Sequence, residues 1–328
     1  MELYATHIVG MTKILVSYPL PDKWFEKVRE IEDVDVVKAT EEEEILEEVK
    51  DAEVVFDKQI SLRAFRAADE LEWIQSPYVG VDMLLIDEVV ESDVRVTCAR
   101  GIHSSQVSDH VFAFILCFAR EIPGFIENRE NRVWEERHPF PFKPLMELKQ
   151  KNLGVVGLGT IGKEVARKGK CFNMNVLGVK KHQEDLEYVD ELFTPKELDR
   201  VISRSDFLVL CVPYTPETKD MIGEKELREM KDSAYLINVA RGEVLDEDAL
   251  VQALRGDWVG GAALDVVDTE PLPKDSRLWK VNDLLLTPHV AGSTPRYWKR
   301  VYEIFRENIE RYKEDKELIN MVNKEEGY

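Results

Sequence analysis

LGVVGLGTIGKEVARKGK, residues Leu153–Lys170, is the stretch on which the reading of this chain turns. Gly154–Gly157 reads as a buried strand, Gly157-Leu158-Gly159-Thr160-Ile161-Gly162 follows at once, and the residues after it have the spacing of an amphipathic helix. A G-x-G-x-x-G string alone arises easily by chance, but between a strand and a helix it has a physical purpose. Gly157 permits the tight turn, Gly159 lets a pyrophosphate approach the backbone, and Gly162 lets helix and strand pack closely. The helix N-terminus, with Thr160 and Ile161 in its first turn, then offers unpaired N–H groups and a positive dipole end to an anion. The stretch predicts dinucleotide binding; the bland alternative is a glycine-rich turn with no ligand.

At the end of the next strand, where an NAD-specific site places an acidic residue for the ribose 2′-hydroxyl, this chain has Lys180-Lys181-His182. Cations there pair with a 2′-phosphate. NADP(H) is therefore favoured over NAD(H), against the alternatives that the lysines are solvated surface or that Glu184 or Asp185 reaches the ribose.

Outward from this turn, short β-branched runs alternate with amphipathic stretches, as in βαβ units around a parallel sheet. In the first third these are Lys13–Ser17 and a helix over Asp22–Glu30, Val34–Lys38 and Glu41–Lys50, then Glu53–Asp57 and Leu62–Ala68. Glu41–Lys50 (EEEEILEEVK) keeps Ile45, Leu46 and Val49 on one side, so it is a solvated helix face and not an interaction tail. After a polar turn at His103–Ser105, Val107–Arg120 reads as a buried helix too short to span a membrane. The proline-rich loop His138–Pro144 leads into the second alternation, with strands at Gly154–Gly157, Asn175–Val179, Phe207–Val212, Tyr235–Val239, Gly261–Val266 and Leu284–Thr287. Pro295–Lys316 reads as one amphipathic helix with Tyr302, Phe305, Ile309 and Tyr312 on a single side.

Composition narrows the function classes. The 328 residues are twice a usual domain length, which predicts two domains. A net charge of −20, from 44 basic against 64 acidic residues, repels nucleic acid and anionic lipid, so any anionic substrate needs a local cationic pocket. Four scattered cysteines, Cys98, Cys117, Cys171 and Cys211, predict free thiols and neither a disulfide framework nor a metal site. The start lacks the basic and apolar regions of a signal peptide, so a cytoplasmic protein with a loose leader over residues 1–10 is expected.

Three later stretches, INVARGEVLDEDAL (Ile237–Leu250), GGAALDVVDTEPLP (Gly260–Pro273) and LLLTPHVAGST (Leu284–Thr294), stand in this order behind the glycine turn. With YVGVD (Tyr78–Asp82), RGIHSSQVSDH (Arg100–His110) and VPYTPET (Val212–Thr218), they resemble the D-isomer-specific 2-hydroxyacid dehydrogenases over nearly the whole chain. Val179–Lys181 and the ending Asn320–Tyr328 look closest to the NADP-using, glyoxylate/hydroxypyruvate-reductase-like branch. The resemblance implies an α/β fold of two doubly wound parallel-sheet domains. A flavodoxin-like substrate domain would take residues 1–104 plus 292–328, and an inserted Rossmann dinucleotide-binding domain residues 105–291, with a cleft closing over the ligands. It also implies a homodimer through the dinucleotide domain and reduction of a small 2-keto acid, of the glyoxylate, hydroxypyruvate or pyruvate class, to the D-2-hydroxy acid.

By the same resemblance Arg241, Glu270 and His289 are the catalytic three, and the chemistry needs those residue types. A planar guanidinium holds the carboxylate and polarises the carbonyl. A histidine supplies the proton that the developing alkoxide requires near neutral pH, and a carboxylate bonded to the imidazole orients it and favours its cationic form. Singly, Arg241 could bridge to Glu243 or Asp246, Glu270 could be loop solvation, and His289 a satisfied turn residue. Further implied cofactor contacts are Lys180, Lys181, Val212, Pro213, Thr218, Val239, Ala240, Asp265 and Gly292, with Asp265 on the nicotinamide carboxamide or, alternatively, capping the next turn. The amides at Val79 and Gly80 would join Arg241 on the substrate carboxylate. Trp134 either roofs a dimeric partner's pocket or, the safer reading, packs in the core.

Cys98 stands where the family pattern has Asn, and Val107-Ser108-Asp109 where it has Val-Ala-Glu. The short stretch after the last expected helix argues against the longer phosphoglycerate dehydrogenases, so no further C-terminal regulatory domain is expected. Other readings are a formate- or phosphite-type dehydrogenase on the same scaffold, which Glu270 opposes, and a dinucleotide-sensing regulatory module that catalyses little.

Overall fold

The structure, a computed structural model, describes residues 11–134, 145–182 and 184–327. The leader over residues 1–10, the loop His138–Pro144 and the terminal Tyr328 lie outside the described residues. The chain folds as two compact units, residues 1–102 with 294–328, and residues 103–293.

The smaller unit holds strands β1 (Thr12–Val16), β2 (Val34–Lys38), β3 (Val54–Phe56), β4 (Trp73–Gln75) and β5 (Arg95–Thr97), all parallel in the order β2-β1-β3-β4-β5. Its helices are α1 (Asp22–Arg29), α2 (Glu42–Glu48), α3 (Leu62–Ala67) and α4 (Asp87–Glu91). The period-2 alternation of strand side chains sorts the core into two layers. Ile14, Val16, Val54, Phe56 and Trp73 pack with Val28 of α1 and with Phe305 and Ile309 of the last helix, while Leu15, Val55, Ile74 and Val96 pack with Val49 and Ala64 behind α2 and α3. Both faces are covered, as a parallel sheet requires.

The larger unit opens with α5 (Ser104–Ala119) and α6 (Ile122–Glu130) and then builds β6 (Asn152–Val156), α7 (Thr160–Cys171), β7 (Asn175–Val179), β8 (Glu191–Phe193), α8 (Leu198–Ile202), β9 (Phe207–Leu210), α9 (Glu224–Glu229), β10 (Tyr235–Asn238), α10 (Glu247–Arg255), β11 (Gly261–Leu264) and β12 (Leu284–Leu286). The final helix α11 (Tyr297–Lys313) belongs to the smaller unit. The parallel sheet runs β12-β11-β10-β9-β6-β7-β8, so strand order reverses between β6 and β9, where doubly wound sheets open a ligand crevice at their C-terminal ends. Leu153, Val155, Val209 and Ile237 face α5 and α7; Val156, Leu208, Leu210 and Leu236 face α8, α9 and α10.

Several boundaries differ from expectation for identifiable reasons. The helix expected from Val107 starts at Ser104, because Ser108 Oγ donates back to the carbonyls of Ser104 and Ser105 (2.6 and 2.8 Å) and satisfies serines that read as a turn. Gly157 is not in a strand: its φ of 96° turns the chain out of β6. Strand β9 ends at Leu210 and not Val212, Cys211 N–H making the last ladder bond to Val156 O before Pro213. The sheet has a seventh strand, β8, whose three residues are too short to show a pattern. Trp134 is 88% exposed, so core packing is wrong for it. Among the described residues no helix is long and apolar enough to cross a membrane.

Candidate active site

Three neighbouring parallel strands, β10, β11 and β12, end at the same edge of the sheet, and the three expected catalytic residues follow those ends. After β10 the buried Asn238 shapes the turn: its Nδ2 donates to Arg241 O (2.8 Å) and its Oδ1 accepts from Ala240 N–H (3.0 Å). Arg241 Nη1 donates to Ala240 O (2.8 Å), whereas Asp246, a possible surface partner, instead caps α10 through Ala249 N–H (3.0 Å). Gly242 explains how close the next turn comes, since a Cβ there would lie 2.1 Å from the Val267 carbonyl carbon. The Arg241 turn is thereby packed directly on the Val267–Glu270 turn after β11. The half-buried Glu247 braces that turn by accepting Asp268 N–H at 2.6 Å, and burial raises its carboxyl above the usual range.

Glu270 Oε1 accepts Val267 N–H (3.2 Å) and Oε2 lies 2.7 Å from His289 Nδ1, a separation of a charge-assisted hydrogen bond. That bond occupies Nδ1 and leaves Nε2 as the other ring nitrogen; both side chains are partly exposed. His289 has φ 51°, in the left-handed region, where histidine occurs more often than most residues.

Asp265, 3% exposed at the end of β11, holds this conformation. Its main-chain oxygen accepts His289 N–H (2.8 Å); Oδ1 accepts Val290 N–H (2.9 Å) and the Thr287 hydroxyl (2.6 Å), and Oδ2 accepts Ala291 N–H (2.9 Å). Of about four acceptor positions on a carboxylate, one remains. His110 on α5 extends the network: its Nε2 lies 3.0 Å from Thr287 Oγ1, with its ring edge-on to Phe114. Sequence reasoning missed Thr287 and His110. They are 177 residues apart, and no local pattern links them. Beside the Glu270–His289 pair a cavity of about 600 Å³ is walled by Val267, Pro271, Leu272, Trp279, Leu286 and Pro288.

The glycine turn lies at the reversal of strand order. A Cβ on Gly157 would meet Cys211 O at 2.7 Å, and one on Gly162 would meet Gly157 O at 2.0 Å, so turn, β9 and α7 are in contact. Gly159 differs: nothing lies within 4 Å of a Cβ built there, which leaves open space above the first-turn amides of Thr160 and Ile161. That open cradle fits a pyrophosphate. Lys180 Nζ reaches the turn at Leu158 O (3.4 Å), and one oxygen of Glu184 bridges Lys180 (3.2 Å) and Lys163 (2.8 Å). Lys163 and Lys180 hold the Glu184 carboxyl below the usual carboxylate range. Lys181 lies 3.9 Å from Glu217.

The remaining expected contacts sit at the same sheet edge or away from it. Thr218 Oγ1 donates to Pro213 O (2.7 Å), folding the Val212–Thr218 loop; Val239 and Ala240 precede Arg241; and Gly292 O accepts from Gln106 Nε2 (3.1 Å). Val79 and Gly80 belong to the smaller unit, in the turn after β4.

Comparison with known proteins gives a consistent result. The sequence profile described as "D-isomer specific 2-hydroxyacid dehydrogenase, NAD binding domain" matches residues 112–291. A glyoxylate reductase of Korarchaeum cryptofilum is 32% identical over 95% of this chain and 96% of its own length. A D-3-phosphoglycerate dehydrogenase of Methanocaldococcus jannaschii is 33% identical over 95% of this chain and 60% of its own. A D-isomer specific 2-hydroxyacid dehydrogenase of Xanthobacter autotrophicus, solved with NADPH and MES, superposes with a TM-score of 0.84 at 26% identity, covering 97% of this chain and all of that one.

Proposed function

The chain belongs to the D-isomer specific 2-hydroxyacid dehydrogenase family, NAD(P)-dependent oxidoreductases, and on that footing we propose that it reduces a small 2-keto acid of the glyoxylate, hydroxypyruvate or pyruvate class to the D-2-hydroxy acid, with NADP(H) favoured over NAD(H). The observation that carries this reading is the 2.7 Å Glu270–His289 pair on the turn next to Arg241.

The division of labour follows from the chemistry of each group. Arg241 holds the substrate carboxylate and polarises the carbonyl, with the amides at Val79 and Gly80 assigned to the same carboxylate. When bound, the nicotinamide supplies a hydride to the carbonyl carbon. His289 gives the proton from Nε2 to the carbonyl oxygen, and Glu270 fixes the ring by bonding Nδ1. The last acceptor position of Asp265 takes the carboxamide N–H, and the amides at Thr160 and Ile161, with Gly159 beneath them, take the pyrophosphate. Lys180 and Lys181 read the 2′-phosphate. Val212, Pro213, Thr218, Val239, Ala240 and Gly292 line the rest of the dinucleotide path. A homodimer in the cytoplasm completes the reading, supported by the family and by the apolar, partly exposed Ile122, Phe125 and Ile126 of α6.

The test is a panel of glyoxylate, hydroxypyruvate, pyruvate and branched 2-keto acids, each with NADPH and with NADH, and chiral analysis of the products of those that give a stereocentre. The expected result is turnover of at least one acid, D product, and higher kcat/KM with NADPH. No turnover, L product or a clear NADH preference would contradict it.

A further inference from the structure

The geometry points to Glu184 as the residue that sets how strongly this protein discriminates between the two dinucleotides, a displaceable carboxylate that bridges Lys163 and Lys180, the second of which is assigned to a 2′-phosphate. This inference rests on the assignment of Lys180 to that phosphate.

Lys163 stands on the first turns of α7, and Lys180 follows β7 directly, so two elements of the sheet edge bring two ammonium groups to one place. Such a pair repels itself unless an anion lies between. In the free protein that anion is Glu184 Oε1, at 2.8 Å from Lys163 and 3.2 Å from Lys180. Lys180 is well covered and anchored on the phosphate-binding turn at Leu158 O, while Glu184 and Lys163 are nearly half exposed. Lys180 is therefore the held cation, and Glu184 is a movable partner. Exposed pairs of this kind contribute little and exchange readily.

A 2′-phosphate brings close to two negative charges and three acceptor oxygens to the same lysines, so it displaces the single charge of Glu184. A ribose with a free 2′-hydroxyl brings a donor instead, and Glu184 accepts from it while still bridging both lysines. One side chain thus opposes the phosphorylated ribose and assists the unphosphorylated one. This extends beyond the residues at the strand end itself, since Glu184 lies in the loop after β7.

The test is calorimetric titration of the intact, substrate-free chain with NADPH and with NADH, for the unaltered protein, Glu184→Gln and Lys180→Asp. Glu184→Gln is expected to tighten NADPH by about threefold or more and to weaken NADH by a similar factor, on the scale of one or two exposed ion pairs. A Glu184→Gln protein with both affinities unchanged, or both weakened, overturns the inference. If Lys180→Asp weakens NADPH while Glu184→Gln changes neither affinity, only the role of Glu184 fails. If Lys180→Asp leaves NADPH untouched, the phosphate assignment fails and takes this inference with it.

Discussion

The backbone of His289 sits in a region that costs a non-glycine residue about 1 kcal/mol or more, and it persists there because Asp265 bonds its amide and the two that follow. Asp57 is a second buried carboxylate. It accepts from Ser17 Oγ at 2.5 Å and from the amides of Lys58 and Gln59, yet burial outweighs these bonds and raises its carboxyl above the usual range. The folded state then binds that proton more tightly than the unfolded chain. Its contribution is favourable below the ordinary value near ~3.9 and is lost as pH rises through the raised folded value. Asp57→Asn removes that dependence. The Tm of the variant relative to the intact protein should therefore climb between pH 3 and pH 7, and a pH-independent difference would show that Asp57 is not strained by burial. Residues of this kind were legible unevenly. Arg241, Glu270 and His289 stand in local motifs, whereas Asp57, Thr287 and His110 owe their settings to partners far away in the chain, which no window of sequence displays.

The strand–turn–helix element from β6 to α7 makes two glycines separable by experiment. Gly162→Ala forces a methyl against Gly157 O and should cost about 1–3 kcal/mol of stability, visible as a lower midpoint in urea unfolding. Gly159→Ala meets no neighbour and should leave that midpoint within error, while its methyl enters the space proposed for the pyrophosphate and weakens NADPH binding about tenfold or more. Loss of stability at Gly159, or unimpaired NADPH binding there, would mean that the turn serves packing alone. Elements were readable where β-branched and apolar residues filled most of five positions, as in β2 (VDVVK) and β7 (NVLGV), both expected at their observed bounds. The strands β4, β5 and β8 have three residues each, too few for a periodicity, and two of them carry buried polar side chains. Gln75 and Thr97 are polar yet fully buried, satisfied by Trp73 Nε1, by each other and by Asn308. The helix α6 was hidden by a proline and a glycine in its first turn.

Over the whole molecule, a net charge of −20 surrounds a site whose work requires a cation, and the fold reconciles the two by where it places a few basic groups. Lys163, Lys180 and Arg241 all sit at the C-terminal edge of the seven-stranded sheet, where helix N-termini already favour anions. The order of β10, β11 and β12 then puts three turns side by side although their sequences lie tens of residues apart. The central claim is that Arg241 and His289 act on one carbonyl group. Its most direct test is kcat/KM for NADPH-driven reduction of the best 2-keto acid by Arg241→Ala and by His289→Ala, each with unchanged Tm. A fall of at least ~100-fold in both variants is expected for a lost oxyanion donor and a lost general acid; near-normal turnover in either would contradict it.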